Sequence, residues 1–361
     1  MVKILSMVMA TFVFVVFLIP FVKKVAFHVG ALDIPNARKI HTEPMPRLGG
    51  LGIFFGFLFG YMLFGEHSSI MNSILISSFI VVLTGAVDDI KPLKASHKFV
   101  AQVAAALVIV FYGNILLKDI SAFGLYIDFG IFSIPLTLFF ILGCINCMNL
   151  IDGMDGLAAG ISSIYFLTIG IIAVIQQKFG LDFVLTFVML GSTLGFLVHN
   201  FHPASIFMGD SGSMFLGLII AVIALLGFKN VTMTSVIIPL LLLAIPILDT
   251  LFAILRRWIK GESLATPDKY HIHHQLLKRN LSQRATVLII YLFNSLFAFA
   301  SILYILKDRT VGYIVYAILF VVVALFVVKT NIVYDNETVK DDLKTKLFKR
   351  KKKNNSKDKQ K

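Results

Sequence analysis

Residues 132–175 read FSIPLTLFFILGCINCMNLIDGMDGLAAGISSIYFLTIGIIAVI, and this stretch decides the fold. Two apolar runs, 132–148 and 157–175, flank a polar turn in which Asn149, Asp152 and Asp155 recur at three-residue intervals. Apolar runs approaching ~20 residues suffice for a helix to cross ~30 Å of hydrocarbon. Backbone groups in lipid must be satisfied within the segment, so such runs form helices. The stretch therefore predicts two membrane helices joined by a polar turn.

The carboxylates of the polar turn are energetically unfavourable at a membrane boundary. An ionised carboxylate at membrane depth costs about 2.5–3.5 kcal/mol on insertion scales, so two of them require a partner or a function. Gly153 and Gly156 remove side chains where a ligand could approach the backbone. The alternative is a plain hairpin in which Asp155 caps the helix that starts at Gly156. That alternative accounts for Asp155 and leaves Asn149 and Asp152 unexplained.

The whole composition indicates an integral membrane protein. The chain has 361 residues, of which 58% are hydrophobic, with a mean hydropathy of +0.87, and this excludes an ordinary soluble domain. The strand alternation of a membrane barrel is absent. We expect an all-α, polytopic helical bundle of about eleven transmembrane helices. The predicted spans are 3–22, 48–65, 70–87, 98–117, 132–148, 157–176, 183–200, 213–228, 233–255, 286–306 and 311–329.

Basic residues predict how the bundle is oriented. Fifteen Lys and Arg side chains fall in the connections from odd to even spans, and six fall on the opposite side. The remaining twelve are Lys329, at the end of the last span, and the eleven that follow it. Positive charge concentrates on the cytoplasmic side, so the N-terminus is expected outside and the C-terminus in the cytoplasm. The first run lacks a small-residue cleavage site and is expected to be a retained helix.

Residues 1–329 are expected to form one membrane domain, and residues 330–361 a basic, disordered cytoplasmic tail. The tail contains the run Lys349–Lys353, and the whole chain carries a net charge of +13. We assign this charge to anionic membrane lipids rather than to nucleic acid, because nothing aromatic accompanies it. Cys144 and Cys147 lie inside an apolar run and are expected to be small buried side chains, not a zinc or redox site.

Polar residues with functional character all fall in the predicted cytoplasmic connections. The loop 33–50 contains Asp33, Arg38 and His41 among prolines and glycines. A positive-inside anchor explains its Lys39 and Arg47 well, but it explains Asp33 and His41 poorly.

A pair of adjacent carboxylates, Asp88 and Asp89, closes the third span. The carbonyl-rich end of a helix disfavours anions, so the pair indicates a bound cation. Lys98 at the start of the fourth span is electrostatically misplaced unless it faces an anion such as a lipid phosphate.

Two further clusters lie later in the chain. Asp210, in the sequence Gly-Asp-Ser-Gly after Asn200, is either a helix N-cap or a metal-bearing carboxylate beside a phosphate site. His271, His273 and His274 suggest zinc or phosphate binding, and we favour phosphate.

Taken together, the motifs Asp88-Asp89, Asn149-Leu-Ile-Asp152-Gly-Met-Asp155-Gly, Phe207-Met-Gly-Asp210-Ser-Gly and His271-Ile-His273-His274 resemble those of the polyprenyl-phosphate N-acetylhexosamine-1-phosphate transferases. They occur in the family's order over residues 30–285. The His-x-His-His-x-Leu-Leu block is similar to that of enzymes that use UDP-N-acetylglucosamine, including those that prime teichoic acid and other surface glycans. The muramoyl-pentapeptide branch typically has three consecutive histidines, and Ile272 interrupts them here.

The resemblance implies transfer of sugar-1-phosphate from UDP-GlcNAc to undecaprenyl phosphate, with release of UMP, at the cytoplasmic face of a bacterial plasma membrane. It implies Mg²⁺ as cofactor, with Mn²⁺ as the alternative, because bringing anions together requires charge neutralisation. The implied catalytic residues are Asp88, Asp89, Asp152 and Asp155; the implied substrate-binding residues are Asp33, Arg38, Lys98, Asn149, Asn200, His271, His273 and His274; and the implied metal ligands are Asp210 and Asn149.

Several alternatives stay open at this point. The donor could be the UDP-MurNAc-pentapeptide of peptidoglycan synthesis, and the attack could be direct or through an aspartate. A cation-coupled transporter would also place carboxylates among membrane helices, but it predicts them near mid-span and with internal repeats. A scaffold that docks glycan enzymes leaves the aspartates without a role. The oligomeric state is open, a homodimer included.

Overall fold

The computed structural model describes residues 2–35, 43–122, 125–228, 237–260, 271–306 and 309–330. These residues are predominantly helical. The α-helices are α1 (Val2–Val29), α2 (Gly49–Phe64), α3 (Ser69–Ile90), α4 (Ala95–Leu107), α5 (Ser133–Ile151), α6 (Leu157–Ile175), α7 (Leu181–Asn200), α8 (Gly209–Phe228), α9 (Ile237–Leu242), α10 (Ala244–Lys260), α11 (Ile272–Lys278), α12 (Gln283–Leu306) and α13 (Arg309–Thr330).

Most of these helices have the length and composition of membrane spans. Within the described ranges, eight helical segments are long and apolar enough to cross a membrane, and two shorter apolar helices, Gly49–Phe64 and Thr310–Val323, accompany them. The protein is therefore a polytopic helical membrane protein. The predicted number of eleven spans and the predicted orientation stay predictions. The proposed tail lies outside the described residues apart from Thr330.

The expected span 233–255 is not one helix in its described part. Helix α9 ends at Leu242 and α10 begins at Ala244. Pro246 explains the break, because proline has no N–H to donate to the Leu242 carbonyl and its ring clashes with that carbonyl. This break interrupts the described part of the predicted span 233–255, which stays a prediction.

Within the described residues, two short antiparallel strand pairs accompany the helices of the predicted all-α bundle. Leu32–Asp33 (β1) pairs antiparallel with Met45–Pro46 (β2). Asp119–Ala122 (β3) pairs antiparallel with Leu125–Asp128 (β4), with Ile120 opposite Ile127. β-Branched residues at paired positions favour strands, and the connection 118–130 is too short for another spanning helix.

Helix α8 forms the centre of the bundle. Its buried apolar side chains pack against α2, α3 and α5. Gly85 of α3 lies directly against the backbone of Ser211, so any side chain at position 85 would overlap the first turn of α8. This backbone-to-backbone packing fixes the start of α8, which carries Asp210. A second group, α1, α6, α7 and α12, packs around the centre.

The ends of α3, α5 and α7 meet the starts of α4, α6, α8 and α12 at one end of the bundle. Contacts between residues distant in sequence tie these ends together, among them Lys98 to Asp210, Asn149 to Ser213, Asn200 to Gly156 and Tyr291 to Gly156. We call this the site end, because four of the sequence clusters meet there.

Candidate active site

The carboxylate centre consists of Asp88, Asp89 and Asp210 with the cations Lys98 and Arg47. Asp210 lies in the first turn of α8, and its Oδ2 is 2.7 Å from Nζ of Lys98. The same ammonium is 3.4 Å from Oδ2 of Asp88. Lys98 was expected to face an anion, and the two anions it contacts here are protein carboxylates. An ammonium has three N–H donors, so one remains for a further acceptor.

Asp88 and Asp89 are adjacent in sequence but have different surroundings. The Asp89 side chain is fully buried, and its oxygens accept hydrogen bonds from the backbone N–H groups of Asp210 at 2.9 Å and Ser211 at 3.2 Å. The Ser211 hydroxyl donates a third, at 2.8 Å. Asp89 therefore satisfies the free N–H groups at the start of α8 from a neighbouring helix. Asp210 itself does not have to act as the cap that the sequence suggested.

Asp88 lies towards the more open side of the centre. Its Oδ1 accepts the backbone N–H of Leu93 at 2.8 Å, which holds the turn between α3 and α4. Its Oδ2 is the oxygen that faces Lys98. Asp88 thus keeps one oxygen directed at the charged centre, whereas both oxygens of Asp89 are occupied by α8.

Arg47 joins the loop before α2 to the carboxylate centre. Its guanidinium nitrogens lie 3.5 Å from Asp33, 3.6 Å from Asp89 and 3.7 Å from Asp210. These contacts give Arg47 a place in the site in addition to the positive-inside role that its sequence position suggests. The ion pair with Arg47 connects Asp33 to the site end. Arg38 and His41 lie outside the described residues.

Asn149 and Asp152 approach the centre from the end of α5. The Asn149 amide donates to the Ser213 hydroxyl at 2.9 Å, which links α5 to the first turn of α8. Asp152 follows the last residue of α5 and is half-buried. Its burial, together with the negative charges of Asp210 and Asp89 and only partly offset by Arg47, raises the pKa of Asp152 to about 8.

The chemistry of these residues fits a divalent cation. Carboxylate oxygens of Asp88, Asp89 and Asp210 lie within 4.8 Å of one another. The negative charges of Asp210 and Asp89 also act on Asp152, where they add to the effect of burial on its pKa. Mg²⁺ prefers oxygen ligands and typically takes one or two carboxylates together with phosphates and water.

The frame turn, which we define as Asp155, Gly156, Asn200 and His202, has a different character. Asp155 Oδ2 lies 2.8 Å from Nδ1 of His202 and accepts the backbone N–H of Ala204 at 3.1 Å. The buried Asn200 accepts the N–H of Gly156 and donates to the Ile206 carbonyl. Asp155 therefore does not cap its own helix, and both ends of the Asn200 amide are held by the backbone. These contacts favour a positioning role for both residues over the predicted catalytic and substrate-binding roles.

The histidines dock onto the polar turn of the opening stretch. His273 is buried in α11, and a Cβ atom built on Gly153 would lie 2.7 Å from its Nε2. Glycine is therefore required at position 153 for this approach. Burial and the neighbouring rings of His274 and His271 lower the pKa of His273 to about 3, so the ring is neutral near pH 7. Residues 261–270, which precede the cluster, lie outside the described part of the chain.

Asp249 is a site-end residue that sequence reasoning missed. It lies in α10 and contacts His271 and the start of α11. A signal was available, because Asp249 is a lone carboxylate inside the predicted span 233–255, and intramembrane carboxylates are seldom without a function.

The arrangement defines a helical membrane protein with a carboxylate centre that could hold a metal ion at one end of its bundle. Residues 71–228 match the family described as "Glycosyl transferase family 4". The chain is 39% identical over 355 residues, 97% of each chain, to a Bacillus subtilis (strain 168) protein named "Probable undecaprenyl-phosphate N-acetylglucosaminyl 1-phosphate transferase".

Two further relatives extend the similarity. The chain is 35% identical, over 78% of its length and 77% of the relative's, to the decaprenyl-phosphate N-acetylglucosaminephosphotransferase of Mycolicibacterium smegmatis. It is 30% identical, over 81% of each chain, to the undecaprenyl-phosphate alpha-N-acetylglucosaminyl 1-phosphate transferase of Escherichia coli (strain K12). The protein belongs to glycosyl transferase family 4, and the family resemblance inferred from the motifs is confirmed.

Proposed function

We propose that the protein transfers N-acetylglucosamine-1-phosphate from UDP-GlcNAc to undecaprenyl phosphate and releases UMP. The observation that carries the proposal is the meeting of Asp88, Lys98 and Asp210, from three separate helices, in one charged centre. The names of the relatives support these substrates, because all three names combine a polyprenyl phosphate with the transfer of an N-acetylglucosamine phosphate.

In the reaction, an oxygen of the lipid phosphate attacks the β-phosphorus of the UDP sugar. The bond from that phosphorus to the bridging oxygen breaks, and UMP leaves with that oxygen. The lipid phosphate is already anionic near neutral pH, so a strong base is not required. The main obstacle is electrostatic, because two anionic substrates must meet. We prefer this direct attack to a covalent aspartyl intermediate.

Lys98 is the residue that we assign to the lipid phosphate. Its side chain is 25% exposed, and two of its three donors are directed at Asp88 and Asp210. The third can meet a phosphate oxygen as a charge-assisted hydrogen bond. Lys98 lies near the start of a membrane helix, where the head of a lipid arrives from the bilayer.

Asp210 and Asn149 would hold Mg²⁺, or Mn²⁺ in its place, with Asp88 nearby. When bound, the ion neutralises charge on the diphosphate and makes its phosphorus more electrophilic. Asp89 orients Asp210 through the start of α8, and Asp152 adds negative charge from the end of α5. His271, His273 and His274 are assigned to the UDP sugar.

We further propose that the site end faces the cytoplasm of a bacterial plasma membrane. UDP sugars are water-soluble and the polyprenyl phosphate is not, so the site must lie where the two phases meet. The distribution of Lys and Arg supports this orientation. Asp88, Asp89 and Asp210 lie at helix ends rather than at mid-span, and this position argues against an ion-coupled transporter.

The experiment uses purified protein in detergent with undecaprenyl phosphate and a panel of UDP sugars, and it measures UMP release. UDP-GlcNAc is expected to give turnover that requires both the lipid and Mg²⁺. UDP-GalNAc tests the sugar epimer, and UDP-MurNAc-pentapeptide tests the peptidoglycan alternative. Turnover with the pentapeptide donor alone, or with no donor in the panel, would contradict the proposal.

A further inference from the structure

Asp249 is a buried carboxylate outside every motif that supports the family resemblance. It lies in α10, and its side chain is only 2% exposed. Its Oδ2 accepts the Nδ1–H of His271 at 2.8 Å, and its Oδ1 accepts the backbone N–H of Ile272 at 2.8 Å. A buried carboxylate is costly unless it is paired and hydrogen-bonded, so these two contacts account for its presence.

The two contacts differ in what they can do. The bond to Ile272 satisfies a free N–H at the start of α11, for which one oxygen of any capping residue suffices. The bond to His271 fixes the orientation of the ring and places a proton on Nδ1. The Nε2 nitrogen of His271 is then the one left to meet a ligand.

The orientation of His271 extends to the rest of the cluster. The rings of His271 and His273 are parallel, with centroids 5.6 Å apart, and the rings of His273 and His274 are 4.3 Å apart. His273 in turn lies against Gly153, next to Asp152. Asp249 is therefore linked to the polar turn after α5 through the packed rings of His271 and His273.

We propose that Asp249 is a positioning residue that acts through His271 on the UDP-sugar side of the reaction, an inference that rests on the proposed function. Its carboxylate holds the proton on Nδ1. A neutral amide at position 249 has only one acceptor oxygen, so it cannot hold the Nδ1 proton and cap α11 at the same time.

The first test is Asp249→Asn, which keeps the shape and one acceptor for the Ile272 N–H. Removing a residue that orients a ligand typically costs about 10–100-fold, and we expect a loss of that size in kcat/KM for UDP-GlcNAc. The KM for undecaprenyl phosphate is expected to stay within about twofold. The neighbouring Thr250→Val is the matched control, because the Thr250 hydroxyl donates within its own helix to Pro246. It should keep wild-type rates.

A double-mutant cycle separates positioning from a purely structural cap. His271→Asn retains a donor near the position of Nδ1 and removes Nε2. If Asp249 acts through His271, adding Asp249→Asn to His271→Asn causes little further loss. Independent, multiplicative losses would overturn the proposal, as would an Asp249→Asn variant with wild-type kinetics.

A measurement on the wild type keeps the proposal testable if Asp249→Asn does not fold. In ¹⁵N-histidine NMR, the His271 signals are identified by their absence in His271→Asn. The proposal predicts a protonated Nδ1, and an unprotonated Nδ1 would overturn it. If the wild type is inactive with every donor, the proposed function fails, whereas the NMR result still reports on the pair of Asp249 and His271.

Discussion

The carboxylate centre and the frame turn are built from the same kind of residue, and they use it in opposite ways. In the frame turn, Asp155 and Asn200 direct their polar atoms at backbone groups or at His202. In the carboxylate centre, Asp88 and Asp210 direct oxygens at the ammonium of Lys98. A side chain whose polar atoms are all hydrogen-bonded to the protein holds the site together. A carboxylate that faces the ammonium of Lys98 can still bind a ligand.

The same comparison assigns different roles to the adjacent residues Asp88 and Asp89. Asp89 belongs to the centre by position, but its hydrogen bonds to the start of α8 resemble those of the frame turn. Asp88 retains an oxygen for the charged centre. Adjacent carboxylates in a motif therefore need not share a role, and each can be tested separately.

The largest expected effect belongs to Asp210→Asn. Loss of the metal-bearing carboxylate should reduce kcat by about 10³-fold, since a bound ion supplies several kcal/mol of charge stabilisation. The melting temperature in detergent should change little, because Asp89 and not Asp210 accepts the N–H groups of α8. Asp182→Asn, at the start of α7, is the control. An Asp210→Asn enzyme that keeps more than a tenth of its activity would remove Asp210 from the metal site.

Asp89→Ala should act first on stability. It removes the acceptor for two backbone N–H groups and the Ser211 hydroxyl, and unsatisfied buried donors cost about 1–3 kcal/mol each. We expect a clearly lowered melting temperature together with reduced turnover. Ser211→Ala, which removes one of the three donors, should show a smaller decrease. If Asp89→Ala melts like the wild type and yet is inactive, Asp89 belongs with Asp88 and Asp210 in the chemistry.

We expect Lys98 to bind undecaprenyl phosphate and His273 to bind the UDP sugar. Lys98→Ala is expected to raise the KM for undecaprenyl phosphate more than that for the UDP sugar. His273→Ala should show the opposite bias or a lower kcat. A charge-assisted phosphate contact is worth about 1.5–3 kcal/mol, so changes of about tenfold or more are expected. Titrating each substrate against both variants measures this division. Equal effects on both substrates would mean that the residues support only the shape of the site.

The smallest expected effect is the contribution of Asp152 to the pH dependence of stability. Its pKa is raised from 3.8 to about 8, so the folded protein keeps a proton that the unfolded chain loses above pH 4. Stability measured in EDTA should therefore fall as the pH rises from about 4 to about 8. Asp152→Asn should flatten part of that decline, as recorded by melting temperature against pH. Identical slopes for the two proteins would show that Asp152 is not held in its neutral form.

Much of the fold could be predicted from the sequence, because apolar runs bounded by charge must become helices in lipid. The missed features depend on local chemistry: Pro246 lies in the first turn of α10, and the paired Ile120 and Ile127 lie in the connection 118–130. Each of these signals was present, but the hydrophobic pattern concealed it.

The composition of the site was easier to predict than its roles. The motifs named Asp88, Asp89 and Asp210, but they could not indicate that Asp89 would bond to Ser211, 122 positions away. Arg47 resembled an anchor, and Asp249 lay within an apolar run. Such pairings depend on helix packing, and no spacing along a single segment encodes them.

The central claim is that a phosphate moves together with the sugar, and labelled substrate tests it most directly. UDP-GlcNAc carrying ³²P only in its β-phosphate is incubated with the purified protein, undecaprenyl phosphate and Mg²⁺, and lipid and nucleotide are then separated. The account predicts that the label appears in the lipid product and that the released nucleotide is unlabelled UMP. Labelled UDP beside an unlabelled glycolipid would mean that the sugar is transferred alone, and it would contradict the account.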